Sequence, residues 1–239
     1  MDQNNYIKQL EETISKFLKP LKDIPFPIAI KAISGHDVLA FDKNSREDKE
    51  LLSRLIKAMD IAVKNAYKTG ISTARPNEVG NHIEPFVKDA LNNIGMKAEI
   101  PLTSNGKHQS AGYPDIFIKD IDNRITYLEC KTYNQKSIGS SFRAFYFQPS
   151  ESSKITHDAR HLMVGFEIVR EKRNGKSVFV PIHWKLYTLE KMLVQVKHEF
   201  NASNKGMYKP EALLAEGGIK NKKNLPPSSA KPSNPAKRD

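Results

Sequence analysis

Residues 113–131, YPDIFIKDIDNRITYLECK, decide the fold. Ile116, Phe117 and Ile118 follow Tyr113-Pro114-Asp115 as an apolar run, and Ile125 to Lys131 forms a second run rich in β-formers. The polar stretch between them, Lys119 to Arg124, reads as a turn. A turn centred on Asp122 sets position 115 opposite position 129. Residues two apart on a strand share a face, so Glu129 and Lys131 project together while Leu128 and Cys130 point the other way. The hairpin therefore gathers Asp115, Glu129 and Lys131 into one small space. Burying that much charge is costly unless something compensates it, and a divalent metal is the obvious partner. Two convergent carboxylates suit a hard cation with oxygen ligands, Mg²⁺ in a cell. The lysine would orient or deprotonate a nearby water, or neutralise charge building on a phosphate.

The rest of the chain narrows the substrate. Its 239 residues suffice for one large domain, or a domain with an appendage. Hydrophobic residues make up 38%, mean hydropathy is −0.56, and no apolar run approaches membrane-spanning length. The N-terminus, MDQNNYIKQLEE, lacks the basic-then-apolar layout of a secretory signal, so a cytoplasmic protein without membrane partners is expected. One cysteine, Cys130, excludes an internal disulfide and a multi-cysteine zinc site. The net charge of +11 points to a polyanion, usually nucleic acid, although a basic soluble protein without such a partner has the same balance.

Along the chain, Tyr6, Ile7, Leu10, Ile14, Phe17 and Leu18 form a helical stripe ended by Pro20. DIPFPIAIKAISG (23–35) reads as extended. A long helix follows, capped by Ser45 with Asp48 at the capping-box position, striped by Leu52, Leu55, Met59, Ala62, Val63 and Ala66, and ended by Gly70. A further helix carries Ile83, Phe86, Val87, Ala90, Leu91 and Ile94, with Pro85 tolerable only in its first turn or at a kink. Glu84 lies at the border of that stripe, where a solvated edge residue is the ordinary case. HLMVGFEIVRE and SVFVPIHWKLY read as strands around the turn KRNGKS, and LEKMLVQVKHEF (189–200) as a closing helix. The order predicts an α/β fold with a central mixed β-sheet flanked by helices. Its expected divisions are an N-terminal helical region packed on the core (1–70), the core (71–215) and a basic tail (216–239). The tail is rich in Pro, Ser, Lys and Asn and reads as disordered.

Pro114-Asp115 followed by Glu129-Cys130-Lys131 resembles the active-site signature of the PD-(D/E)xK nuclease superfamily. An upstream helix often supplies a further acid there, and IEPFVKDALNNIG followed by AEIP resembles that element, which makes Glu84 the matching residue. Over roughly residues 75–185 the pattern is similar to bacterial type II restriction endonucleases. The resemblance implies Asp115, Glu129 and the backbone carbonyl of Cys130 as metal ligands. It makes Glu84 an outer or second-metal ligand and gives Lys131 the attacking water. It implies Mg²⁺-dependent cutting of double-stranded DNA at a short site, by default as a homodimer, with a cognate DNA methyltransferase in the same system. The alternatives are a structure-specific repair or junction-resolving nuclease of the same superfamily, and a DNA-binding protein without catalysis.

The polar segment 134–160 is the natural place for base contacts. Arg and Lys suit guanine, Asn and Gln suit adenine, and Ser or Thr suits either. Gln135, Lys136, Ser140, Ser141, Arg143, Gln148, Lys154, Thr156, His157 and Arg160 supply these groups. Many such side chains contact only phosphate. His157 and His161 imitate a zinc pair without a third ligand, so both read as surface or DNA-facing histidines. Cys130 reads as a packed thiol.

Overall fold

The structure is a computed structural model that describes residues 3–73, 78–109, 111–134, 145–196, 203–207, 209–212 and 214. It divides into two compact units, Met1–Lys197 and His198–Asp239. In the first, helix α1 (Gln3–Phe17) precedes strand β1 (Leu21–Pro25) and helices α2 (Phe26–Ser34), α3 (Arg46–Thr69) and α4 (Val79–Asn93). Strands β2 (Lys97–Glu99), β3 (Ile116–Lys119), β4 (Ile125–Tyr133), β5 (Arg160–Arg173), β6 (Lys176–Thr188) and β7 (Leu193–Val196) follow. Among its described residues, the second unit holds a short helix α5 (Asn204–Met207) and a 3-10 turn at Pro210–Ala212. The expected tail, 216–239, lies outside the described residues.

A five-stranded sheet runs in the order β2-β3-β4-β5-β6, with β4 and β5 parallel and the other pairs antiparallel. The β3–β4 register pairs Ile116 with Leu128 and Phe117 with Tyr127, the alignment a turn centred on Asp122 requires. Alternation then splits β4 between two cores. Leu128 and Cys130 pack with α3, α4 and the strand residues Leu162, Val164 and Phe166. Tyr127 packs on the other side with Phe26 and Ile30 of α2, Tyr113 and Leu189. This is the mixed α/β architecture that the element order predicts.

Helix α3 shows the local logic. Ser45 Oγ accepts the Asp48 N–H at 3.0 Å, and Gly70, at φ 71°, closes the far end. Its buried face runs through Leu51, Leu55, Ala58, Met59, Ala62 and Ala66, while Leu52 and Val63 sit at the edge. Asp48 does not complete a capping box, because the Ser45 N–H goes to the Asp42 carbonyl. Instead Asp48 accepts the Asp42 N–H on Oδ2 at 2.7 Å and meets Arg160 with Oδ1.

Two expected elements differ. Residues 26–34 are helical, not extended, because Pro27 occupies the first turn, where its missing N–H costs nothing, and Phe26 and Ile30 share a buried face. Residues 193–196 form a strand rather than a helix. Their Leu-Val-Gln-Val alternation pairs antiparallel with β1 (Ile24 with Val194, Pro25 with Leu193), a long-range partner that outweighs local helix preference. Pro85 sits inside α4 and not in its first turn. It cannot donate to the carbonyl one turn back.

Candidate active site

The hairpin brings its acids together. Asp115 lies one residue before β3, and its Oδ2 accepts the Cys130 backbone N–H at 2.8 Å. Glu129, in the middle of β4, is 4% exposed, and its Oε1 lies 2.6 Å from Lys131 Nζ. Glu129 Oε2 is buried without a hydrogen-bond partner among the described residues. Lys131 keeps a third of its side chain in solvent, with Nζ 5.7 Å from the Phe145 ring centre. Helix α4 delivers Glu84, half-buried, within electrostatic reach of both acids.

The charge states follow from this crowding. Burial, and then the Asp115 charge, push Glu129 up to about 7. Burial does the same to Glu84, also to about 7, with Asp115 and Glu129 adding to it. Burial raises Asp115, against the pull of the Cys130 N–H and the nearby lysines. Burial alone would lower Lys131, but Glu129 and then Asp115 outweigh it and hold the ammonium above its ordinary value. The Cys130 thiol is driven well above its usual range by burial, which makes it inert packing.

This donor set fits a divalent metal. Two adjacent buried carboxylates repel unless a proton or a cation lies between them, and Glu129 Oε2 has no donor to it among the described residues while the Asp115 carboxyl stands within hydrogen-bonding reach of the Glu129 side chain. Among the described residues no three His, Cys, Asp or Glu side chains form a ready-made cluster. Asp115 and Glu129 lie side by side, and Glu84 is within electrostatic reach of both.

The predicted DNA-contacting residues divide. Gln135, Lys136, Ser140, Ser141 and Arg143 lie outside the described residues. Gln148 and His157 are exposed. Thr156 is half-buried, its N–H donating to Tyr127 Oη at 2.8 Å. Lys154 and Arg160 are corrections. Lys154 is 4% exposed and donates to the Gly112 carbonyl at 2.5 Å, close enough to feel Asp115, Glu129 and Glu84. A buried ammonium committed to a carbonyl cannot reach a base. Arg160 Nε lies 2.6 Å from Asp48 Oδ1, with the side chain 16% exposed against 2% for Asp48. The approach is off the N–H axis, so it is an ion pair and not a well-aligned hydrogen bond. Neither role has a local signal, since both depend on what the fold sets beside the residue.

His161 is a third correction. It is 1% exposed, stacked at 5.9 Å on Tyr113 and joined to its hydroxyl through Nδ1 at 2.6 Å, so it faces neither solvent nor DNA. Burial lowers its pKa to about 3. The folded state keeps the imidazole neutral, whereas the unfolded chain takes a proton below about 6.5. Stability from this group is therefore complete above that pH and is lost as pH falls toward 3. By pH 5 the loss is about 2 kcal/mol. Urea unfolding at pH 7 and pH 5 should show wild type falling by about 2 kcal/mol relative to His161→Gln, since the raised carboxyls Glu129 and Glu84 contribute alike to both. Equal drops would remove His161 as its source.

A model of the type II restriction enzyme MjaV family matches residues 20–211. The type II restriction enzyme MjaV of Methanocaldococcus jannaschii is 39% identical over 235 residues, covering 92% of this chain and all of that protein. Among solved structures, the tetrameric restriction endonuclease SfiI bound to cognate DNA aligns at a TM-score of 0.37 and 14% identity, over 63% of this chain and 66% of that one. No helix among the described residues is long and apolar enough to cross a membrane. The family model and the near-full-length relative agree, and this chain belongs to the MjaV family of type II restriction enzymes, site-specific endonucleases that act on DNA.

Proposed function

We propose that the chain cuts double-stranded DNA with Mg²⁺ at the centre formed by Asp115, Glu129 and Lys131. The observation that carries this is the orphaned Oε2 of buried Glu129 beside Asp115. Asp115, Glu129 and the Cys130 carbonyl would hold the cation, with Glu84 at its outer side. Bound there, it would supply Lewis-acid stabilisation of charge on the attacked phosphate. Lys131, held protonated by the two acids, donates a hydrogen bond that orients the attacking water. Cys130 N–H fixes the Asp115 carboxylate toward the centre. Membership of a type II restriction enzyme family supports a site-specific product pattern in preference to junction resolution. Two active sites are the simplest way to cut both strands of a palindrome, so we place the enzyme as a homodimer in the cytoplasm, paired genetically with a methyltransferase.

Incubating a long DNA with the protein tests the reading. Discrete bands are expected with Mg²⁺, none in excess EDTA, and binding with little cutting in Ca²⁺. More Mg²⁺ should be needed at pH 6 than at pH 8, because below about 7 the cation must displace the Glu129 proton. Cutting that persists in EDTA would sink the metal site. Digestion only of branched substrates would favour the resolving nuclease.

A further inference from the structure

Lys154 and Arg160 are taken up by internal contacts, and an adjoining loop has donors unspent. Between β2 and the Asp115 turn the chain doubles back through an isolated bridge between Leu102 and His108. Buried Thr103 is the hub of this loop. Its N–H donates to the Lys107 carbonyl at 2.9 Å, its carbonyl accepts the Gly106 N–H at 2.7 Å, and its hydroxyl accepts the Lys107 N–H at 3.1 Å. Gly106 turns the chain at φ 74°, a conformation that glycine takes without strain. Everything outward of the hub, residues 104–109, is exposed.

The loop is also tied to the cutting centre. Ser104 N–H donates to the Ser153 carbonyl and Asn105 Nδ2 to Ser152 Oγ, both at 2.8 Å. The next residue, Lys154, holds the carbonyl of Gly112, three residues before Asp115. A run of hydrogen bonds thus links loop, Lys154 and catalytic turn. Among the described residues, Lys107 Nζ and the His108 ring make no hydrogen bond or ion pair. Two exposed donors on a pinned backbone do nothing for the fold.

We propose that Lys107 and His108 read base edges of the recognition sequence, beside the scissile phosphate. Phosphate neutralisation works with flexible lysines anywhere on the surface. Discrimination between bases needs donors whose positions are set before binding, so that ordering is not charged against affinity. A lysine ammonium and an imidazole N–H match the two major-groove acceptors of guanine, O6 and N7. The chemistry therefore points to a guanine in the site. This inference rests on the nuclease reading above.

The test uses the full chain and the duplex that wild type cuts, identified from its own products. Lys107→Met and His108→Ala are measured in Ca²⁺ against that duplex and a scrambled one, at two salt concentrations. Each variant is expected to bind the cognate duplex roughly ten- to a hundredfold more weakly, with scrambled binding and melting temperature nearly unchanged. Replacing the contacted guanine with 7-deazaguanine should weaken wild type and leave the matching variant indifferent. Equal losses on both duplexes, with a flattened salt dependence, would mean phosphate contact and overturn the proposal. So would cognate binding as tight as wild type's. In either of those cases, wild type's discrete cutting leaves the nuclease reading standing.

Discussion

Lys131→Ala is expected to slow cleavage by roughly two or more orders of magnitude at saturating DNA and Mg²⁺, the scale for removing a positioned catalytic group. Sequence-specific binding in Ca²⁺ should be largely retained, because the side chain lies 2.6 Å from Glu129 and not out among the exposed groups. Asp115→Asn and Glu129→Gln should lose about as much, roughly two to three orders, since each removes a charge that the cation and the water depend on. Glu84→Ala should fall between these and wild type. Its carboxyl feels both Asp115 and Glu129, but no three-acid cluster exists among the described residues. Single-turnover cleavage and footprinting on the same preparations give the comparison. A Lys131→Ala enzyme that cuts at a near-wild-type rate would dismiss the centre. A Glu84→Ala enzyme that does so would reduce α4 to scaffold.

Arg160→Ala carries the second large effect, and on stability instead of recognition. Removing the guanidinium leaves Asp48 1% exposed, with Oδ2 on the Asp42 N–H and no partner for Oδ1 among the described residues. Orphaning one member of a buried pair costs several kcal/mol. Arg160 retains some solvent contact, so about 3 kcal/mol, the lower end of that range, is expected. Adding Asp48→Asn should recover part of it, because a neutral amide is cheaper to bury. Denaturant unfolding of both variants measures the stability. The ratio of cognate to scrambled binding, taken well below the melting temperature, should stay at the wild-type value. Unchanged stability with lost discrimination would return Arg160 to the DNA interface.

The hairpin shows why its part of the protein was legible. Two β-forming runs and a short polar turn specify register by local chemistry, and register alone decides that positions 115, 129 and 131 converge. The paired strands β5 and β6, with a glycine-containing turn between them, are local in the same way. So is α3, with its Ser45 cap and Gly70 stop. Where local preference was ambiguous, the reading failed. Residues 26–34 and 193–196 carry apolar spacings that suit either state. The first was settled by packing of Phe26 and Ile30, the second by pairing with β1, a partner over 160 residues away.

The fate of the charged side chains belongs wholly to the tertiary structure. Lys154, Arg160 and His161 look in the sequence like the polar residues of a DNA-facing loop. Arg160 and His161 instead open β5, where they pair in parallel with Thr126 and Tyr127 of β4, and Lys154 is buried a few residues before that strand. One then meets a backbone carbonyl, another Asp48, and the third an aromatic cluster. Glu84 shows the same dependence with the opposite outcome, an unremarkable edge residue until α4 is packed against the hairpin. The sequence by itself determined that two acids and a lysine meet at one place, since strand and turn chemistry in that stretch set the register. Only the tertiary structure decided which other ionisable groups share it, because burial and approach depend on contacts between segments distant in the chain.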